Sequence, residues 1–349
     1  MRVVFLTLYP DAAASPRYRV GQFLPHLRSQ GVECTVAAPM AEAAWRRLTG
    51  PERQGRAFWY HLHETPRRIE QILSAGRYDA VFVQKALMSA YLRGLPGLLK
   101  RRARRIVYDL DDAVHLAPPH PLRGMWKLLE DRAQIAALMK ISDRILAGNA
   151  WLADEARKFN GHVDVFPTVV DTDRFIPPPN APEAFSVGWI GSPSTTPTLF
   201  PLREVLTHLS GARVVLVGAD ARKLSWDHVI VEPWNFDTEV AEAQQFSVGL
   251  MPQTRDEWTR GKCALKALVY MACGIPCIAT PYGAALEIIE HERNGLFAEQ
   301  PEEWRASIDR LREPAYRKQL GEAARATVEE RYSLRVAAPR LLEILRSVV

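Results

Sequence analysis

Short apolar runs alternate with helix-length segments from one end of this 349-residue chain to the other. VVFLTL, VECTVA, YDAVFV, RIVYDL and RILA recur through the first half. SVGWI, RVVLVGA, HVIVEPW, FSVGLMP and IPCIA recur through the second. Runs this short and evenly apolar read as buried strands, and a helix between each pair makes neighbouring strands parallel with right-handed crossovers. Pro177, Pro178, Pro179 and Pro182 interrupt the alternation with a stiff segment that cannot be helical. The expected organisation is an N-terminal Rossmann-like domain over 1–175, a linker over 176–184, a second such domain over 185–331 and a terminal helix over 332–349. The first βαβ unit carries no G-x-G-x-x-G, which argues against a dinucleotide-dependent enzyme.

Composition narrows the function classes. With 24% charged and 47% hydrophobic residues, the chain is that of a soluble globular protein. No window approaches the roughly 18 uninterrupted apolar residues of a membrane span. MRVVFLTLYP has too short an apolar core for a signal peptide and reads as the first strand. Cys34, Cys263, Cys273 and Cys277 show neither disulfide nor metal spacing, which fits reduced thiols in the cytoplasm. His61 and His63 alternate, but two histidines make a poor metal site and fit surface or strand packing. Residues 1–175 hold 26 Lys+Arg against 18 Asp+Glu, whereas the rest hold 19 against 22. The basic half, with Arg101, Arg102, Arg104 and Arg105 clustered, fits an anionic acceptor, an anionic membrane surface or ordinary solvation. No nucleic-acid module accompanies it, so nucleic acid is not an expected partner.

The most informative stretch is 258–297, WTRGKCALKALVYMACGIPCIATPYGAALEIIEHERNGLF. Arg260, Lys262 and Lys266 form a cationic lead into a helix that Gly274 and Pro276 should end. A short strand follows, then a turn through Gly283 into a second helix carrying Glu287. A strand, loop and helix start of this kind presents backbone N–H groups to an anion, and a phosphate-bearing ligand suits it. An ordinary βα unit with solvated cations is the plain alternative.

The run KALVYMACGIPCIAT–GAALEII–NGLF resembles the donor-sugar signature of GT-B glycosyltransferases of the group 1, family 4 type. The RGKC before it and the YMACG within it are similar to a bacterial subgroup that builds surface polysaccharide. ASPRYRVGQFLPHL, YDLDDAV and VDVFPTVVDTDRFIPPP resemble further segments of the same subgroup, so the likeness spans nearly the whole chain. One departure stands out: Gly261 and Val269 occupy the places of two family glutamates, the second of which holds the nucleotide ribose. The resemblance implies an α/β GT-B fold, with two Rossmann-like domains whose parallel sheets face across a cleft and a last helix returning to the first domain. It implies transfer of a sugar from a nucleotide-diphosphate sugar to a hydroxyl of a glycan or lipid-linked acceptor, with retention and without cofactor or divalent metal. The protein would be cytoplasmic, peripheral on the inner face of the membrane.

Site residues follow from both lines of reading. Arg260 and Lys262 are the expected catalytic cations for the departing diphosphate, with Lys266 beside them. Gly191, Ser192 and Thr195 lie in a small-residue loop whose amides and hydroxyls suit phosphate, or simply cap a helix. Gly283 and Ala284 would approach the donor, and Glu287 would accept from sugar hydroxyls or serve the helix dipole. In the first domain, Arg17 and Arg19 follow the first strand, and either bind acceptor or phosphate or form a structural ion pair. Asp109, Asp111 and Asp112 end the fourth strand as acceptor-side or structural groups, Asp112 being the catalytic candidate among them. A nucleotide-sugar 2-epimerase and a non-catalytic binding domain of the same fold are the competing functions.

Overall fold

The computed structural model describes residues 1–49, 57–117, 128–180 and 182–349. The chain divides into two compact units: Met1–Thr168 with Gly261–Cys263 and Ala337–Val349, and Val169–Arg260 with Ala264–Val336.

The first unit is built on β1 (Arg2–Leu6), β2 (Glu33–Ala37), β3 (Ala80–Gln84), β4 (Ile106–Leu110), β5 (Arg144–Ala147) and β6 (Val163–Val165). These form one sheet in the order β2-β1-β3-β4-β5-β6, every pairing parallel. The central strands β3 and β4 are buried at every position, while the edge strand β2 is only half covered. This is why β3 and β4 read as continuous apolar runs rather than alternating ones.

The second unit holds β7 (Ser186–Ile190), β8 (Arg213–Val217), β9 (Val229–Glu232), β10 (Val248–Met251), β11 (Cys277–Ala279) and β12 (Gly295–Phe297). Their order is β12-β11-β10-β7-β8-β9, again with parallel pairings throughout. Val187, Trp189, Leu216, Leu250 and Ile278 pack beneath Leu202, Trp304 and Ile308 to make its core. Strand order reverses between β1 and β3 in one unit and between β7 and β10 in the other. At such a reversal the connecting helices depart to opposite faces, leaving a crevice beyond the carboxyl ends of the strands.

Some local expectations hold in the structure and others change. Gly274 adopts the left-handed conformation at φ 68°. It closes the helix Leu265–Ala272 with paired bonds, Ile275 N to Tyr270 O and Gly274 N to Met271 O, both 3.0 Å. Ser15 and Gly31 read in the sequence as the cap and the end of one helix, but that helix is broken: Ala14–Arg19 ends at Val20, and Leu24–Ser29 begins after a 3-10 turn. Ser15 lies within the opening helix rather than capping it. Residues 125–140 read in the sequence as one long helix, but the observed helix is the shorter Gln134–Ile141, because Glu130 pairs with Leu92 in a bridge; residues 125–127 lie outside the described residues. His63 is exposed on the helix Ala57–Leu73, not on a strand; of His61, only its place on that helix is described.

The unit boundary falls at Thr168/Val169, ahead of position 175, for a physical reason. Val170 N donates to Tyr332 O at 3.0 Å and Leu334 N to Val170 O at 2.9 Å. Arg325 donates to the carbonyls of Thr172, Phe175 and Ala272. Segment 169–175 is therefore bonded into the second unit before the prolines begin. From Ala337 onward the last helix, Leu334–Val348, counts with the first unit. There Arg340 donates to Val165 O at 2.9 Å.

Candidate active-site residues

In the first unit, the carboxyl ends of β1, β3, β4 and β5 gather a polar network. Gln84 ends β3 fully buried, and its amide is shared three ways. Leu8 N donates to its Oε1 at 3.3 Å, and its Nε2 donates to Ser15 Oγ at 2.6 Å and Asp111 Oδ1 at 3.4 Å. Ser15 Oγ in turn donates to Asp111 Oδ2. Lys85, the next residue after β3, reaches Asp112 Oδ2 with Nζ at 2.9 Å, both side chains being nearly enclosed. Asp112 Oδ1 accepts from Ala113 N at 3.0 Å.

The three aspartates therefore have separate partners instead of one shared focus. Asp109 pairs with Arg19, whose Nε lies 3.0 Å from Oδ2, and Arg19 Nη1 donates to Phe166 O at 3.0 Å. Both side chains are almost wholly buried, at 2% and 1% exposure. Arg19 and Asp109 are thus a structural pair, which corrects their expected place among substrate-binding residues. Leaving either charge unpaired inside would cost about 3–5 kcal/mol. Arg17 is half-buried and donates to Ala12 O at 3.4 Å. Among the described residues no group of three or more His, Cys, Asp or Glu could hold a metal ion.

Residues 261–263 belong to this same cluster. A Cβ on Gly261 would stand 2.7 Å from Ala113 Cβ and 2.9 Å from Ala113 N, so no side chain fits there. That explains why the family glutamate is missing at this position. Asn149, which caps the helix Ala150–Arg157 by accepting from Leu152 N at 2.8 Å, donates to Lys262 O at 3.1 Å. Lys262 is close enough to Asp112 to act on its ionisation. Cys263 Sγ donates to Asp111 O at 3.2 Å, and burial pushes its thiol up to about 12, leaving it neutral and unreactive near neutral pH.

In the second unit the loops after β7, β10 and β11 lie side by side, since β10 is flanked by β7 and β11. Trp189 is fully buried in β7, and its ring fills the space a Cβ on Gly191 would need, the nearest ring atom being 2.1 Å away. Lys266, in the first turn of Leu265–Ala272, sits with Nζ 3.9 Å from the centre of that ring and 3.4 Å from Thr195 Oγ1. A cation over an indole gains about 1–2 kcal/mol when partly desolvated. The Thr195 hydroxyl donates to Ser192 O at 3.0 Å and accepts from Ser192 N at 3.1 Å, closing the loop on itself. Tyr270 ties the reversal together by accepting from Ile190 N at 2.8 Å and donating to Leu250 O at 3.4 Å.

Arg260 is exposed at the end of the helix Glu257–Arg260. Its carbonyl packs against the left-handed turn at Gly283, 3.2 Å from where a Cβ would stand. Ala284 opens the four-residue helix Ala285–Ile288, and Tyr332 Oη donates to the Glu287 carbonyl at 3.0 Å. The structure thus brings together Gly191, Ser192, Thr195 and Lys266, and separately Arg260, Gly283 and Ala284. It places Lys262 with Asp112 in the first unit. Sequence reasoning missed Lys85, Gln84, Trp189 and Tyr270. Each lies in or just after a core-like segment, where polarity or aromaticity reads as packing.

Two family descriptions match the chain: Glycosyltransferase Family 4 over residues 18–174, and Glycosyl transferases group 1 over 195–313. Among solved structures, sucrose-phosphate synthase from Thermosynechococcus elongatus superposes with a TM-score of 0.74 at 15% identity, covering 99% of this chain and 98% of that one. HepE from Anabaena, in complex with UDP-glucose, gives 0.69 at 15% identity, with 99% and 100% covered. The lipopolysaccharide outer core galactosyltransferase WaaB gives 0.60 at 14%, with 100% of both chains covered. No curated protein matches the sequence. Two doubly wound parallel units, with neighbours of this kind, define the GT-B fold. The chain belongs to the glycosyltransferases of the group 1, family 4 type.

Proposed function

We propose that this glycosyltransferase moves a sugar from a nucleotide-diphosphate sugar to a hydroxyl of a glycan or lipid-linked acceptor, with retention and without a divalent metal. The observation that carries the reading is Lys266, seated over the Trp189 ring beside the Thr195 hydroxyl at the β7/β10 reversal. A fixed ammonium next to a hydroxyl loop suits a diphosphate. The HepE complex with UDP-glucose and the lipopolysaccharide galactosyltransferase WaaB support both the donor class and a surface-glycan acceptor.

In the proposed step, the bond from the sugar's anomeric carbon to the diphosphate oxygen breaks. A bond to the acceptor oxygen forms on the same face, and the acceptor proton passes to the departing phosphate. The protein contributes orientation and charge. Lys266 and Arg260 stabilise the diphosphate, Gly283 and Ala284 admit it closely, and Glu287 accepts from sugar hydroxyls. Asp112 orients the acceptor hydroxyl, with Asp111 and Arg17 binding the acceptor and Lys262 contributing charge. Asp112→Asn should lower transfer by ~100-fold or more while UDP binding stays near wild type. Equal loss of both would move Asp112 to the donor, and full transfer would remove it from the site.

The basic end of the helix Leu95–Arg102, continued by Arg104 and Arg105, supports attachment to an anionic membrane face. Arg104 and Arg105 have acidic neighbours, Asp79 at 3.7 Å and Asp143 at 3.6 Å, but both stay more than half exposed. Among the described residues no helix is long and apolar enough to cross a membrane. Vesicles containing anionic lipid should sediment the protein at low salt and release it as the Debye length shrinks below about 8 Å. Equal binding to neutral vesicles would contradict this.

A further inference from the structure

We propose that Lys85 is a positioning residue for the transfer reaction, holding the Asp112 carboxylate in place as the group that orients the acceptor hydroxyl. The inference rests on the assignment of Asp112 to the acceptor. Lys85 is not in any motif; the turn after β3 puts it there. Its backbone is left-handed at φ 71°, a conformation uncommon for residues other than glycine. That turn is bonded to β4 on both sides: Lys85 N donates to Asp109 O at 2.8 Å, and Tyr108 Oη donates to Lys85 O at 2.8 Å. The side chain is 12% exposed and ends 2.9 Å from Asp112 Oδ2.

The Arg19–Asp109 pair shows what a purely structural ion pair looks like in this unit, with every carboxylate oxygen enclosed. Asp112 differs. It keeps 13% of its side chain exposed, and its hydrogen-bond partners, Lys85 and Ala113 N, take one contact on each oxygen. A carboxylate has about four acceptor sites, so capacity is left for a hydroxyl donor. Fixing one oxygen on Lys85 sets the direction of the remaining lone pairs.

Ionisation supports the same role. Burial acts to raise the Asp112 pKa, and Lys85, then Lys262, outweigh it, so the carboxyl sits below its ordinary range. Tyr91, Asp111 and Cys263 are the other titratable groups acting in this cluster, with Tyr9 facing Lys85. Without Lys85, only Lys262 and the Ala113 N–H would act against burial. The carboxylate would then protonate at higher pH and lose its acceptor function over a wider acid range.

The test measures UDP release from UDP-glucose, with an acceptor extract, for K85M, K85R, D112N and K85M/D112N. K85M should lose up to ~100-fold in kcat, as expected for a misplaced group, with donor KM little changed and the acid limb of kcat/KM moved to higher pH. K85R should restore most of the rate. The double variant should be no slower than D112N, because Lys85 acts through Asp112. Wild-type kcat and pH profile in K85M, or losses that add in the double variant, would overturn the role of Lys85. Full activity in D112N would instead overturn the reading of Asp112. If K85M alone fails to fold, K85M/D112N, with both charges removed, is better tolerated. Its rate against D112N, with the pH profile of K85R, then decides.

Discussion

Lys266 shows how far a residue's role can be read before the fold is known. The cationic lead into the 265–272 helix marks it as a phosphate candidate, and the structure adds what holds it: Trp189 beneath and Thr195 beside it. Trp189 itself was illegible, because a tryptophan in an apolar run reads as core, and it is core. Replacing Lys266 with Ala should weaken nucleoside-diphosphate binding by about 1.5–3 kcal/mol, a charge-assisted contact's worth. Titration calorimetry would show this, and unchanged affinity would take Lys266 out of the donor site. Arg19 marks the opposite limit. Arg17 and Arg19 are indistinguishable as letters near a strand end, and only helix phase decides that Arg19 turns inward to Asp109 while Arg17 does not.

The central strands were readable because burial on both faces writes each of them as an apolar run, and the alternation with helices dictates parallel pairing. Gly274 was readable too, since a helix end needs a left-handed residue. The fate of 261–263 was not, because it depends on Ala113, far away in sequence. Nor was the unit boundary, which depends on hydrogen bonds from 169–175 to 325–334 that no local pattern announces. Segment 261–263 carries its own prediction. Gly261→Glu restores the family residue but drives a Cβ into Ala113, so it should destabilise the protein by about 1–3 kcal/mol. Denaturant unfolding would check this. A neutral result would mean that the segment is free to shift, and that the missing glutamate needs another explanation.

Across the whole chain, two parallel sheets and the two family matches make it a GT-B glycosyltransferase. What it does with a nucleotide sugar is the central claim, and three outcomes separate the readings. The decisive measurement is incubation with UDP-glucose and other nucleotide-diphosphate sugars, a glycan and lipid-linked acceptor extract, and EDTA, followed by analysis of all sugar-containing products. The account predicts release of the nucleoside diphosphate with a new glycoside whose anomeric configuration matches the donor, undiminished by the chelator. An isomerised donor with no glycoside, or tight nucleotide-sugar binding with no turnover, would contradict it.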